Sequence, residues 1–134
     1  MIVHGILLDV DSKKGTVKEI DLDEDKLEDF YEALNCSTID IVQRMINDRP
    51  FDIVCDDEAL LKSEPNPSAV RKDGKIMLFG NLFICNHYKE HLTSLSKEDC
   101  KFILSNVVVV SASKPHGSEV KTQPLLTNTG YVRV

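Results

Sequence analysis

The chain has 134 residues, of which 42% are hydrophobic and 28% are charged. This length favours one domain that buries its own core without disulfides or metal ions. Its 22 acidic residues outnumber its 16 basic ones, and the formal net charge of −6 opposes binding of DNA or RNA polymers. No segment has the pattern of a secretion signal or a membrane span. We therefore expect a cytoplasmic protein that binds neither nucleic acid polymers nor membranes.

Two β-hairpins and a helix are predicted in the first half of the chain. The segments IVHGILLDV and GTVKEIDL have the composition of strands, and DSKKG between them has turn chemistry. The segment STIDIVQRMI alternates, NDRP forms a second turn, and FDIVCDD resumes as a strand. Between the hairpins, DEDKLEDFYEALN predicts a helix that Asn35 can end, because its apolar residues recur at helical spacing.

One core strand and a second helix are predicted in the second half. Residues 58–75 are expected to be irregular, because the prolines of SEPNPSAV disfavour helix interiors and central strands. The segment KIMLFGNLFIC predicts one long buried strand, in which Gly80 marks a bulge. SKEDCKFILSNV predicts a helix capped by Ser96, and VVVVSA and GYVRV predict strands. The predicted fold class is α+β, a mostly antiparallel sheet with two helices on one face.

Three groups of residues offer metal or acid–base chemistry, and none of them completes a motif. Asp56, Asp57 and Glu58 could hold Mg²⁺ or Ca²⁺, but a solvated end of a strand is favoured because further oxygen ligands are missing. His87 and His91 have the spacing of one helix face, but surface histidines in a loop are favoured. The four cysteines lack a CxxC pair, which favours buried free thiols over a zinc site. No metal ligand is predicted.

No catalytic residue is predicted either. The sequence lacks a G-x-S-x-G elbow, a phosphate-binding Walker loop and a G-x-G-x-x-G segment. The polar residues in and around the irregular segment favour a ligand site instead, because arginine suits phosphates and carboxylates and a proline-stiffened loop is already ordered. The candidate ligand-binding residues are Arg44, Asn66, Ser68, Arg71 and Asn81. The alternative is that Asn66 and Ser68 serve only the backbone of the loop.

Five segments, taken in order, carry a resemblance to a known family: ALNCSTIDIV, FDIVCDDEALLK, PNPSAV, LFGNLFI and SLSKEDCKFIL. The chain resembles small proteins catalogued as a domain of unknown function and common in phages, prophages and conjugative elements of Firmicutes. The resemblance covers residues 1–107, which we expect to form a single compact domain. Residues 108–134 extend past it and are expected to close over a pocket or to swap onto a neighbour. The resemblance implies no catalytic residues and no cofactor.

The family context implies a function outside catalysis. Small accessory phage proteins often counter host defence, and one way is to sequester a nucleotide-derived signal without turnover. We therefore expect a homo-oligomeric anti-defence protein, in the cytoplasm of the bacterial host, that binds a small anionic, nucleotide-like ligand. The two candidate arginines would meet its phosphates, and the asparagines and the serine its sugar or base. Two alternatives stay open: a protein–protein interaction module that modulates a host protein, and a small hydrolase that uses Asp56, Glu58 or the histidines.

Overall fold

The computed structural model describes residues 1–12, 14–113 and 120–132, which form two β-sheets and two short helices. The elements in chain order are β1 (Ile2–Asp9), β2 (Thr16–Asp23), α1 (Leu27–Leu34), β3 (Ile39–Ile46), β4 (Arg49–Asp56), a 3₁₀ turn (Ala59–Leu61), β5 (Pro67–Val70), β6 (Ile76–Phe79), β7 (Leu82–Tyr88), β8 (His91–Thr93), α2 (Lys97–Leu104), β9 (Val107–Ser113), β10 (Val120–Leu126) and β11 (Thr129–Tyr131). Within these ranges, no helix is long and apolar enough to cross a membrane.

The larger sheet has seven antiparallel strands. Six of them follow the order β11-β3-β4-β7-β1-β2, and β8 pairs with the far end of β7. The smaller sheet has the order β6-β5-β10-β9 and contains one parallel pair, β5 with β10. The predicted fold class is therefore confirmed: a mostly antiparallel α+β domain with two helices and a C-terminal extension.

The centre of the larger sheet is buried on both faces, because successive residues of its central strands enter different cores. Ile6 and Leu8 belong to one core, which also contains Cys100 of α2 and residues of the smaller sheet. Leu7, which lies between them, belongs to a second core with Phe30 of α1. Since neighbouring side chains on a strand point to opposite faces, the two helices cover opposite faces of the sheet. The expectation that both lie on one face is wrong.

Both predicted hairpins and both predicted helices are present, with shifts at their ends. The second hairpin turns at Asn47 and Asp48, which both have positive φ, as the tightest hairpin turns require. Helix α1 begins later than predicted, at Leu27, and ends at Asn35 in the left-handed conformation. At the start of α2, the backbone N–H of Asp99 donates to the Ser96 hydroxyl at 3.0 Å.

The segment KIMLFGNLFIC is two strands in different sheets, so the prediction of one long strand is wrong. Gly80 has φ of +79°, a left-handed conformation that side-chain-bearing residues rarely adopt. The chain therefore turns there, and β6 remains in the smaller sheet while β7 enters the larger one. A mainly apolar run does not reveal this change of sheet, because β6 and β7 are both apolar in sequence.

The proline-rich segment is less irregular than predicted. Pro67 begins β5, which lies between β6 and β10 inside the smaller sheet. A proline is tolerated at the first position of a strand, where its missing N–H costs the sheet least. The register against β6 shifts on both sides of Ala69, so the strand is interior but distorted.

The C-terminal extension contributes strands to both sheets. β9 and β10 form an antiparallel pair, and Leu126 of β10 is fully buried in the core beneath the smaller sheet. β11 then crosses to the edge of the larger sheet, where Tyr131 lies opposite Arg44 of β3. The strands predicted from VVVVSA and GYVRV are thus present. Residues 114–119 of the predicted tail, the last two residues of GYVRV and Lys13 of the first turn lie outside the described residues.

Candidate functional site

A surface cavity of about 880 Å³ lies where the two sheets meet at the edge strand β11. We call it the Tyr131 cavity. Its lining includes Asp48 and Pro50 from the β3–β4 hairpin, Arg71 and Lys72 from the turn after β5, and Tyr131. Three separate parts of the sequence therefore converge on one surface. The cavity combines an aromatic ring with two cationic side chains.

The ring of Tyr131 is held in place and still open to solvent. The guanidinium carbon of Arg44 lies over the ring, 5.0 Å from its centroid, which is a cation–π geometry. Arg44 also donates from Nη1 to the Gln43 carbonyl at 2.9 Å, while its buried Nε has no hydrogen-bond partner. Tyr131 nevertheless stays 62% exposed. Arg44 therefore packs against one face of the aromatic ring, and the exposed part of the ring is available for stacking.

The two cations at the cavity differ in their freedom. Arg71 forms an ion pair with Asp73, and this contact lowers the pKa of the Asp73 carboxyl to about 2. The guanidinium of Arg71 is therefore fixed in direction and its charge is partly offset. Lys72 is exposed, and no acidic side chain in the described part of the chain pairs with it. Lys72 is the cation that an anionic ligand meets without breaking an existing ion pair.

Asn66 and Asn81 meet at another place, at the end of β1. The Asn81 carbonyl oxygen accepts hydrogen bonds from the backbone N–H groups of Val10 (2.8 Å) and Asp11 (3.1 Å). Its amide donates to the Ala33 carbonyl at 3.2 Å. The Asn66 amide donates to the Asp11 carboxylate at 3.1 Å. Both asparagines therefore bind the protein's own backbone and side chains.

The five predicted ligand residues do not share one cavity. Arg71 lines the Tyr131 cavity, and Arg44 contacts the ring of Tyr131. Ser68 is fully buried in β5, and its hydroxyl has no hydrogen-bond partner. Sequence reasoning missed Tyr131 and Lys72, because the contact of β11 with the turn after β5 depends on a long-range pairing that no local pattern reveals.

The acidic run at the end of β4 divides into one buried and two exposed residues. Asp56 is buried, and its carboxylate lies 3.4 Å from Nζ of Lys62, so its description as a solvated strand end is wrong. Lys62 also contacts the Asp11 carboxylate at 3.1 Å. The ammonium group thus takes the place between two carboxylates that a metal ion would occupy. Asp57 and Glu58 are exposed.

His87 and His91 lie on the β7–β8 hairpin and not in a loop, which corrects the prediction. Nδ1 of His87 is 2.5 Å from an oxygen of Asp52, and Nδ1 of His91 is 3.1 Å from an oxygen of Glu24. All four residues line a second cavity, of about 400 Å³, beside the apolar side chain of Phe30. Each imidazole is oriented by a carboxylate, and its other ring nitrogen is not engaged by any hydrogen bond within the described residues.

A third polar cluster joins three distant parts of the chain. Nε2 of His4 is 2.8 Å from Glu19, and its Nδ1 is 2.7 Å from Asp21. Three atoms that could ligate a metal, a ring nitrogen of His4, a carboxylate oxygen of Glu19 and Sγ of Cys100, all lie within 4.8 Å of one another. The two carboxylates raise the pKa of the His4 imidazole, with the Glu19 hydrogen bond as the larger cause. This cluster was not predicted, because Cys100 comes from α2, far along the chain from His4 and Glu19.

The cysteines are reduced, as predicted. Three of them are buried and Cys36 is half-buried, and none of the four forms a disulfide. Burial raises the pKa of Cys55 to about 11 and that of Cys85 to about 12. Burial, followed by a hydrogen bond with Glu19, raises the pKa of Cys100 to about 11. These thiols are therefore poor nucleophiles at neutral pH.

Comparison with known proteins identifies a family. Residues 4–108 match the family described as a domain of unknown function (DUF3846), and because this match covers most of the chain, the chain belongs to that family. No curated protein and no solved structure matches the chain.

Proposed function

We propose that this member of the DUF3846 family is a non-enzymatic accessory protein of a phage or other mobile element in Firmicutes, and that it binds a small anionic, nucleotide-like ligand in the Tyr131 cavity. The observation that supports the proposal most is the exposed aromatic ring beside two cations, on a surface cavity of about 880 Å³. The biological role that follows is sequestration of a nucleotide-derived defence signal in the cytoplasm of the bacterial host.

Stacking on Tyr131 is the first part of the proposed binding mode. A base has an apolar face that stacks on an aromatic side chain, and such contacts contribute about 1–3 kcal/mol per base. The ring loses little conformational freedom on binding, because Arg44 already packs against it. The neighbouring Thr129 donates from its hydroxyl to the Val70 carbonyl at 2.8 Å, which fixes β11 to the smaller sheet.

Charge pairing is the second part of the proposed mode. Lys72 and Arg71 lie on the same cavity as Tyr131, so one phosphate could meet both while the base stacks. Arginine and lysine both bind phosphate, the first through a planar fork and the second as a point charge. The protein as a whole carries a net charge of −6, so the attraction must be local to this surface.

Sequestration without turnover is supported by the kind of residues at the cavity. Its described lining contains no histidine, cysteine or serine, and its threonine is committed to the backbone. Of its two carboxylates, Asp73 is held in the ion pair with Arg71, which leaves Asp48 as the remaining acid. Hydrolysis normally requires a nucleophile or an activated water held by a base or metal. A ligand bound here is therefore expected to be released intact.

The test is a binding titration with AMP, ADP-ribose, linear dinucleotides and cyclic dinucleotides. Tyr131→Leu and the double variant Arg44→Ala with Arg71→Ala are expected to abolish binding of whichever compound the wild-type protein binds. Lys97→Ala, which removes one positive charge from an exposed residue of α2, is the control and should bind normally. Equal affinity in the double variant would remove the arginines from the proposed site.

A second candidate function is modulation of a host protein through a sheet edge. Leu60 and Leu61 of the 3₁₀ turn are 66% and 81% exposed and line a cavity of about 360 Å³ beside the edge strand β6. An extended segment of a partner could pair with β6 and cover these leucines. This function would be favoured if wild type and Tyr131→Leu both capture a host protein and the double variant Leu60→Ser with Leu61→Ser does not. Loss of the captured protein with Tyr131→Leu alone would oppose it.

A further inference from the structure

The pairing of β1 with β2 brings a histidine and two carboxylates together on one face of the larger sheet. His4 lies directly opposite Asp21, and Ile6 lies opposite Glu19 two residues further along. Directly opposed residues of antiparallel strands point to the same face, and positions two apart share that face. His4 is therefore in reach of both carboxylates without any special loop.

Helix α2 packs on the same face of the sheet and contributes the third residue of the cluster, Cys100. Cys100 belongs to the core that contains Ile6, and its thiol reaches the edge of that core where Glu19 lies. The thiol is buried, whereas His4 and Glu19 are partly open to solvent at 38% and 47% side-chain exposure. The cluster thus has a buried sulfur and a side that is accessible to a metal ion.

We propose that His4, Glu19 and Cys100 form a three-ligand binding site for a divalent transition-metal ion, with zinc as the preferred ion. Imidazole nitrogen, carboxylate oxygen and thiolate sulfur are the ligands that zinc takes in proteins, usually in a tetrahedron. Their mutual separations, all within 4.8 Å, require only small side-chain movements to surround one ion. The fourth position faces solvent and would hold water.

Asp21 supplies a second observation that points to a metal. It accepts at 2.7 Å from Nδ1 of His4, which leaves Nε2 as the nitrogen on the side of Glu19. Histidines that bind zinc commonly donate their other ring N–H to a carboxylate, which fixes the tautomer and raises the basicity of the ligand nitrogen. The arrangement Asp21–His4–metal has this form, and Asp21 acts as a positioning residue.

Protons compete with the metal in this site. Without an ion, the two ring nitrogens of His4 are hydrogen-bonded to Glu19 and Asp21. The Cys100 thiol remains protonated at neutral pH. A metal must displace the proton between His4 and Glu19 as well as the proton of the Cys100 thiol. The affinity for the metal should therefore rise with pH, and binding should release protons. The other acid that faces Cys100 is Asp99, which is already paired with Arg49 at 2.6 Å. Asp99 is therefore not needed as a ligand.

A simpler function of the cluster is a charged hydrogen bond without metal, in which an imidazolium bridges two carboxylates. The two alternatives differ in the role of Cys100. A metal-free bridge needs only His4, Glu19 and Asp21, whereas the metal site binds through sulfur as well. A spectroscopic signal from a sulfur–metal bond therefore distinguishes them.

The test is a titration of metal-free protein with Co²⁺, followed by competition with Zn²⁺. Tetrahedral Co²⁺ bound to thiolate gives visible absorption bands and a near-ultraviolet charge-transfer band. Wild type should show both, and Zn²⁺ should remove them. Cys100→Ser should lose the charge-transfer band, His4→Gln should weaken binding at least tenfold, and Asp21→Asn should weaken it about 10–100-fold.

The control is Cys36→Ser, because Cys36 is the most accessible of the other three thiols. This variant should keep the wild-type spectrum and affinity. Either of two outcomes would overturn the proposal: a Co²⁺ affinity that is unchanged in His4→Gln, or a charge-transfer band that is lost with Cys36→Ser and not with Cys100→Ser. Absence of any bands in wild type at stoichiometric Co²⁺ would do the same. His4 and Asp21 lie at the surface, so their variants remain folded tests if Cys100→Ser fails to fold.

Discussion

Gly5 is a residue whose identity is restricted by packing. A Cβ at this position would lie 2.6 Å from the Phe83 ring and would also clash with the Ile84 carbonyl. Both partners belong to the adjacent central strand β7, which cannot move aside without disturbing two cores. We expect Gly5→Ala to lower the free energy of unfolding by about 1–3 kcal/mol, measured by urea denaturation. Gly130→Ala is the control, because no atom lies within 4 Å of its Cβ position.

Asp48 is the acidic residue that should most affect an anionic ligand. It lines the Tyr131 cavity and has φ of +69° in the hairpin turn. Asparagine also tolerates this conformation, so Asp48→Asn removes a negative charge without altering the turn. We expect the affinity for the nucleotide-like ligand to rise about fivefold at low salt and less at high salt. An unchanged affinity at every salt concentration would place the ligand elsewhere.

His4 should make the stability of the metal-free protein depend on pH. Glu19 and Asp21 raise the pKa of His4 above its ordinary value of 6.5, so the folded state binds this proton more tightly than the unfolded state. The stabilisation is complete below about pH 6.5 and is lost as the pH rises through the folded pKa. His4 also lowers the pKa of Glu19, so the contribution of that carboxylate disappears only at acidic pH.

The measurement is the difference in unfolding free energy between wild type and His4→Gln, in buffer with chelator, across neutral and alkaline pH. The difference should shrink as the pH increases. A constant difference over this range would mean that His4 stabilises the fold through contacts that do not depend on its charge.

At the scale of elements, sequence patterns succeeded where structure is local. The helix stop at Asn35, the N-cap at Ser96 and the Asn47–Asp48 turn each depend on residues within a few positions of one another. The patterns failed where the chain passes from one sheet to the other. Gly80 looked like a bulge, but it marks the point where the chain leaves one sheet for another.

The edge strand β11 should be a stabilising element as well as part of the cavity. It pairs with β3, and its Thr129 is 4% exposed and hydrogen-bonded to the Val70 carbonyl. Deletion of residues 129–134 is expected to lower the free energy of unfolding by about 1–3 kcal/mol because buried polar groups lose partners. Tyr131→Leu should remain close to wild type in stability, while both variants lose ligand binding. Thermal unfolding and ligand titration measure the two effects separately.

At the scale of the whole molecule, the fold class was predictable and the candidate site was only partly so. Composition and strand-like segments are sufficient for an α+β domain. Arg71 was identified as a ligand residue because of its chemistry, and Lys72 follows it directly in the sequence. Tyr131 joins them only because β11 pairs with the distant strand β3. His4 and Cys100 meet for the same reason, through a sheet and the helix that covers it. Long-range pairing is the information that a single sequence does not supply.

The oligomeric state of the protein bears on where the proposed ligand binds. The proposed homo-oligomer would place the Tyr131 cavity between protomers, and β11 forms one edge of the larger sheet, where a second chain could approach. Native mass spectrometry of the wild-type protein reads the number of protomers and any retained ligand in one spectrum.

Native mass spectrometry can show directly whether the Tyr131 cavity captures a nucleotide-like compound. Wild type and Tyr131→Leu are incubated with a small-molecule extract of the bacterial host, analysed by native mass spectrometry, then denatured so that released compounds can be identified. We expect an added mass on wild type alone, and an intact phosphate-containing nucleoside compound on release. The same compound on both proteins, or none on either, would show that Tyr131 does not capture such a ligand.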